Sequence, residues 1–223
     1  GYRSLWLSEF APIYPFLKLE STFWKVKYVN LWSMHDDRHS TGFSNKKWAS
    51  SHLLSYNVNK WLNLSLFESV VWQDKDTLIN RGPDINYFNP FIFFRPVEYG
   101  MGSADNSLLG AGLKLTFNKH LIAYSNFILD EFLLSELRNS TGWWGNKYGL
   151  QFGLKLFDIL NLEGLYSIFE YNSVRPYTYS HMTSKQNYGH KNHSLAHPLH
   201  SNFKEFLVVL GYQKNNIDFY NLP

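Results

Sequence analysis

Hydrophobic and polar residues take turns along most of this chain. From Ser21 to Trp32, Trp24, Val26, Tyr28 and Trp32 alternate with Lys25, Lys27 and Val29, a period of two that places successive side chains on opposite faces of a strand. After the polar stretch HDDRHSTGFSNKK the pattern predicts a second strand, Trp48 to Val58. The dipeptide Asn59-Lys60 then leads into a third, in which Leu62, Leu64, Leu66, Val70 and Trp72 share a face opposite Asn63, Ser65, Ser69 and Gln73. Asn suits such a tight turn because it tolerates positive φ.

The fourth strand is the clearest: Leu109, Ala111, Leu113, Leu115 and Phe117 alternate with Gly110, Gly112, Lys114 and Thr116. Asn118-Lys119 turns the chain into a fifth, His120 to Asp130, with Leu121, Ala123, Phe127 and Leu129 outward and Tyr124, Asn126 and Asp130 inward. A sixth sets Tyr148, Leu150, Phe152, Leu154 and Leu156 against Lys147, Gln151 and Lys155. A short FDILN link leads to a seventh, Leu162 to Tyr171, whose two faces both mix apolar and polar residues. An eighth places Phe206, Val208, Leu210 and Tyr212 opposite Glu205 and Gln213, and the final NNIDFYNLP reads as the opening of a ninth.

The connections alternate between long and short, with long loops expected near 36–47, 74–105, 131–146 and 173–202. Transmembrane β-barrels have this rhythm because periplasmic turns are tight and extracellular loops long. Strands of about 10–12 residues also suit a tilted crossing of the hydrocarbon, where soluble strands run nearer five or six. Trp24, Trp48, Trp61, Trp72, Tyr148 and Tyr212 fall at strand ends, where interfacial aromatic girdles sit. The expected fold is therefore an all-β, transmembrane, antiparallel up-and-down barrel spanning residues 1–223, about eight or nine strands of a larger barrel. Glu68 resists this assignment, since it falls mid-strand on the apolar face where a carboxylate facing lipid is costly. A bulge that switches the face, or a protein neighbour, would remove the conflict.

Composition points the same way. Of 223 residues 18 are Phe, 15 Tyr and 8 Trp, and charged residues make up only 17% against roughly 25% in soluble domains. Mean hydropathy is −0.31, and no apolar run approaches the roughly 18–20 residues of a membrane-spanning helix. A helical membrane protein is excluded. A net charge of +3 with scattered basic residues argues against nucleic acid. There is no cysteine, hence neither disulfide nor thiolate metal site. The opening GYRSLWLSEF has no secretory-signal pattern, and the chain is expected to be mature or a fragment.

Five blocks stand in order: FNPFIFFRPVEYGMGSADNSLLG (88–110), LDEF (129–132), GWWGNKYG (142–149), VRPYTYSH (174–181) and LAHPL (195–199). In order and spacing they resemble the Wzi-type capsule assembly proteins, in particular the branch identified as gliding-motility-associated outer-membrane proteins, over roughly residues 46–215. The resemblance implies a bacterial outer-membrane barrel longer than this chain, holding or organising capsular or exported polysaccharide, with outer-membrane lipid, lipopolysaccharide and further outer-membrane or lipoprotein subunits as partners. The better-studied capsule proteins carry a periplasmic helical portion that has no counterpart here.

Candidate saccharide ligands follow from residue chemistry. Trp143 and Trp144, between Gly142 and Gly145, offer indole faces on which the C–H side of a sugar can rest. Tyr177 and Tyr179 offer the same, with an interfacial girdle as the alternative. Arg95, Glu98, Asp130, Glu131 and Arg175 can bond sugar hydroxyls or a uronate, or instead brace loops as an ion-pair network. The apolar FNPFIFFRP is expected to fold inward as a plug or to pack on another protein. His181, His190, His193, His197 and His200 crowd one loop without metal-ligand spacing, and no nucleophile elbow appears, so neither metal, cofactor nor catalysis is expected. The alternatives to a polysaccharide-assembly barrel are a porin-like or substrate-specific transport channel and a soluble carbohydrate-binding β domain.

Overall fold

The computed structural model describes residues 1–38, 44–75, 81–90, 105–131, 138–139, 143, 145–214 and 217–221. The chain forms a ten-stranded antiparallel sheet: β1 (Phe16–Phe23), β2 (Val26–Arg38), β3 (Ser44–Asn57), β4 (Leu62–Gln73), β5 (Asn106–Thr116), β6 (Leu121–Glu131), β7 (Lys147–Phe157), β8 (Leu165–Val174), β11 (Phe203–Lys214) and β12 (Ile217–Asn221). Sheet neighbours are also chain neighbours. Among the described residues the only interruption is a two-stranded hairpin, β9 (Gly189–His190) with β10 (His193–Ser194), inside the β8–β11 connection. The sheet is an up-and-down meander with β1 and β12 as its edges, and among the described residues it does not close into a barrel.

All described pairings keep one register except β6 with β7, where a bulge lies between Leu129 and Glu131. The period of two therefore carries across the sheet. Leu64, Leu113, Phe152 and Phe206 fall on one row of the outer face, and Ser65, Gly112, Asn126, Gln151, Asn172 and Glu205 on one row of the inner face. The mixed seventh strand is resolved by this register: in β8, Glu170, Asn172 and Val174 face in and are buried, while Phe169 and Tyr171 face out.

The first predicted strand needs correction. Ser21–Trp32 is not one strand, because the chain reverses at Trp24-Lys25 to form the β1–β2 hairpin, with Trp24 at φ 52°. The long loop expected at 36–47 is also shorter, since His35, Asp36 and Asp37 pair with Lys47, Lys46 and Asn45 and extend both strands. The remaining rhythm holds, with short turns at 58–61, 117–120 and 158–164 and long connections at the other end.

The core sits on the inner face, towards the long connections. There Leu5 from the N-terminal segment and Tyr179, Tyr188, Leu195 and Ala196 from the β8–β11 connection pack on Ala49, Val71, Leu108, Ile128 and Val174 of the sheet. The outer face divides in two. Over β2–β4 the segment 81–90 lies against it: Tyr87 packs on Trp72 with ring centroids 4.8 Å apart, Phe88 stacks on Trp32 at 5.6 Å, and the Trp32 indole donates to the Tyr87 carbonyl at 3.0 Å. The start of FNPFIFFRP thus folds outward, not inward, and residues 91–96 of that stretch lie outside the described residues. Trp72 is accordingly buried and not at a girdle.

Glu68 also lies on this outer face, paired in register with His52 and only 3% exposed. No bulge switches its face; its surroundings in the protein remove it from solvent. Over β5–β8 and β11 the outer face is open: Leu113, Phe152, Leu154, Phe169, Phe206 and Leu210 are exposed, Phe206 by 84%. Trp24, Trp61 and Phe117 are exposed at the short-turn end.

Candidate functional site

Most of the predicted site residues that are described gather where β6, β7 and β8 meet the long connections. Asp130 occupies the bulge in β6, and its carboxylate accepts the backbone N–H of Tyr179 at 2.8 Å. The neighbouring Glu131 pairs with Lys147 of β7 at 3.2 Å, and the same ammonium donates to the Ser180 carbonyl at 3.0 Å. Arg175, one residue past β8, lies over the Tyr148 ring at 5.5 Å and reaches the Trp143 carbonyl at 3.5 Å. These contacts brace the β8–β11 connection against the strand ends. Trp144, Arg95 and Glu98 lie outside the described residues.

The aromatic candidates separate. Tyr177 is 57% exposed and open to a ligand. Tyr179 presents no open ring face; it is 5% exposed, stacks on Tyr188 at 6.0 Å, and donates its hydroxyl to the Leu5 carbonyl at 2.8 Å. Burial pushes its phenol well above the usual tyrosine range. Trp143 is half-buried and folds back on its own loop, for a Cβ on Gly145 would lie 2.4 Å from its ring. That glycine admits the indole, not a saccharide chain.

A cavity of about 330 Å³ opens beside this network, between the ends of β2 and β3 and the β8–β11 connection. Its lining includes Asp37, Lys47, Ser180, Ser184, Asn187, Asn192, His193 and His200. Lys47 is buried and donates to the Asn187 carbonyl at 2.8 Å, the Ser184 hydroxyl donates to Asp37 at 3.0 Å, and the Asn187 side chain accepts the His181 N–H at 2.7 Å. Hydroxyl, amide and imidazole groups therefore converge on a concave space within the roughly 300–1,000 Å³ of small-ligand sites.

Backbone strain gathers in the same connection. Of the ten non-glycine residues with positive φ among the described residues, six are here: Tyr177, Tyr179, Lys191, Asn192, His200 and Asn202. For residues other than Asn this conformation costs about 1–3 kcal/mol and persists only where surrounding contacts impose it. The loop histidines do not converge on a metal: His190 and His197 are buried, His193 and His200 exposed. No group of three or more His, Cys, Asp or Glu among the described residues is arranged to hold one. His197 is neutral by geometry, since its Nδ1 accepts the Leu199 N–H at 3.2 Å while its Nε2 faces Glu205 at 3.0 Å. Burial holds its pKa below the ordinary imidazole value despite the adjacent carboxylate.

The cavity residues contributed by β2 and β3 were not singled out from sequence, because HDDRHSTGFSNKK reads as a solvated loop. The five-histidine cluster was the available signal, and two of its members, His193 and His200, line the cavity. No family model, curated protein or solved structure matches the chain.

Proposed function

We propose that this chain is part of a non-enzymatic outer-membrane β-barrel that holds or organises surface polysaccharide, capsular or exported, in an assembly or gliding-motility machinery. The observation that carries this reading is the inversion of the sheet. A water-soluble sheet buries its apolar face, yet here the aliphatic and aromatic rows of β5–β8 and β11 are exposed while the face carrying Gln151, Glu170 and Asn172 is covered. Lipid is the solvent that favours this arrangement, and exposed Trp24, Trp61 and Phe117 suit an interfacial belt at the short-turn end. An antiparallel up-and-down meander of this kind is the wall that a bilayer admits once it is closed, since closure leaves no unpaired edge.

The saccharide would sit at the long-connection end, in the cavity between Asp37, Ser184 and Asn192, with the exposed Tyr177 ring as a neighbouring platform. An open channel is less well supported, since residues 1–8 and the β8–β11 connection fill the inner face. Retention of surface polysaccharide by cells carrying Ser184→Ala with Asn192→Ala, compared with Trp143→Ala with Trp144→Ala, tests the assignment. Loss in the first variant with a normally folded protein supports the cavity. Loss only in the second moves the saccharide to the tryptophans, and unchanged retention in both rejects the polysaccharide role.

A further inference from the structure

Residues 1–8 cross the inner face without forming a strand, yet their backbone is read by side chains. The Glu170 carboxylate accepts two consecutive N–H groups, Tyr2 at 2.7 Å and Arg3 at 3.1 Å. Gln151 donates to the Arg3 carbonyl, the Tyr179 hydroxyl to the Leu5 carbonyl, and the Leu195 carbonyl accepts the Ser8 N–H at 2.7 Å. Three side chains then give the segment its identity. Arg3 pairs with Glu205 at 2.5 Å, Leu5 is 1% exposed, and Trp6 stacks on Phe67 at 5.3 Å with its indole N–H directed to the Phe127 carbonyl. A Cβ on Gly110 would lie 2.7 Å from that indole nitrogen and one on Gly112 2.9 Å from the ring, so two glycines hollow the slot.

We propose that this inner face is a binding groove for an extended peptide with the pattern Arg-x-Leu-Trp, filled in cis by residues 1–8 and open to exchange. The electrostatics favour such an occupant. Glu170 and Glu205 both accept from the one Nδ2 of Asn172, each at 3.0 Å, which holds two carboxylates side by side. With residues 1–3 withdrawn, Glu170 keeps the Tyr124 hydroxyl and Glu205 keeps His197, but the pair loses its guanidinium and two N–H donors, and removing such partners from buried carboxylates is costly. A peptide carrying a cation and free backbone donors meets this demand, whereas a saccharide brings neither.

The mode of attachment permits exchange. Side chains hold much of the segment, in place of a continuous β-ladder, and an apolar cavity of about 240 Å³ remains beneath Trp6 and Leu7, against Leu31, Leu53 and Phe67. Nothing here depends on the membrane reading, so the two stand or fall separately.

The test uses the full chain and a synthetic peptide of residues 1–10, labelled with fluorescein at its C-terminus and followed by anisotropy. Arg3→Ala with Trp6→Ala loosens the chain's own segment, so the peptide should bind this variant at least about tenfold more tightly than wild type, where the groove is self-occupied. Adding Glu205→Arg should abolish binding, and a peptide with Arg3→Glu should recover it. Equal binding to wild type and variant, no preference over a scrambled peptide, or no rescue by the reversed charge would overturn the proposal. Hydrogen exchange on wild type guards against a misfolded variant. The amides of Tyr2, Arg3 and Ser8 should exchange at least about a hundredfold faster than the β6–β7 ladder, reporting local opening. Protection equal to that ladder would mean a permanently packed segment and no groove.

Discussion

Replacing Phe152 tests which solvent meets the outer face. It is the central residue of the eleven in β7, points outward between Ser125 and Tyr171, and is 51% exposed. Phe152→Ala removes a half-buried ring; full burial of such a side chain contributes about 1.5–3 kcal/mol, so half contributes about 1 kcal/mol. Phe152→Arg loses the same ring and adds a guanidinium, and the difference between the two variants isolates the charge. On a surface wetted by water that difference stays within about 0.5 kcal/mol. At the midplane of a bilayer it rises to about 2–4 kcal/mol. Urea titration of the folded chain in phosphatidylcholine vesicles reads it directly. With a slope near 2 kcal/mol per molar, the Arg midpoint should lie about 1 M or more below the Ala midpoint. Coincident midpoints would refute the placement of this row against lipid.

Asp130→Ala should destabilise the β8–β11 connection by about 1–3 kcal/mol, because the Tyr179 N–H is left without its acceptor in a buried setting; unchanged amide exchange across 175–202 would contradict this. Gly153→Ala should cost about 1–3 kcal/mol by overpacking, since its Cβ would fall 2.1 Å from the Tyr124 ring and drive that hydroxyl from Glu170; wild-type stability on denaturation would count against it. Acid should loosen the same connection. Burial lowers the pKa of His181, His190 and His197 below that of the unfolded chain, near 6.5. Above that value both states are neutral, but as pH falls towards the lower folded values the unfolded chain binds more protons and stability is lost. Amide exchange at pH 5.5, corrected for its intrinsic rate, should exceed that at pH 7.5, and equal rates would refute the sign.

Much of the sheet was legible because alternation and strand register share the period of two. β5 and β7 show it best: an uninterrupted apolar face lies opposite Gly, Lys and Gln, and each strand appears close to where it was expected. β1 was missed for a local reason. Its reversal at Trp24-Lys25 uses no Gly, Asn or Pro, so the hairpin resembles one continuous strand. The ends of β2 and β3 were hidden by chemistry that only tertiary contacts explain. His35 is buried beside Tyr14 and His190, the Asp36 N–H donates to His190 at 3.0 Å, and Lys47 reaches Asn187.

Glu68 illustrates the same point, since its place on the apolar face was readable but the burial that accommodates it was not. Among the candidate site residues, Asp130, Glu131 and Arg175 lie beside the cavity, while Asp37 and Lys47 of its lining come from strands more than a hundred positions away from the rest. Separation of that kind leaves no periodic trace in one sequence.

The lipid-facing arrangement is tested most directly by spin labels in β5. The chain has no cysteine, so single cysteines at 111, 113, 115, 114 and 116 take unique labels. In vesicles, labels at 111, 113 and 115 should be relaxed by oxygen and shielded from a water-soluble nickel chelate, with the reverse at 114 and 116. Chelate access at all five positions would contradict a lipid belt around this sheet.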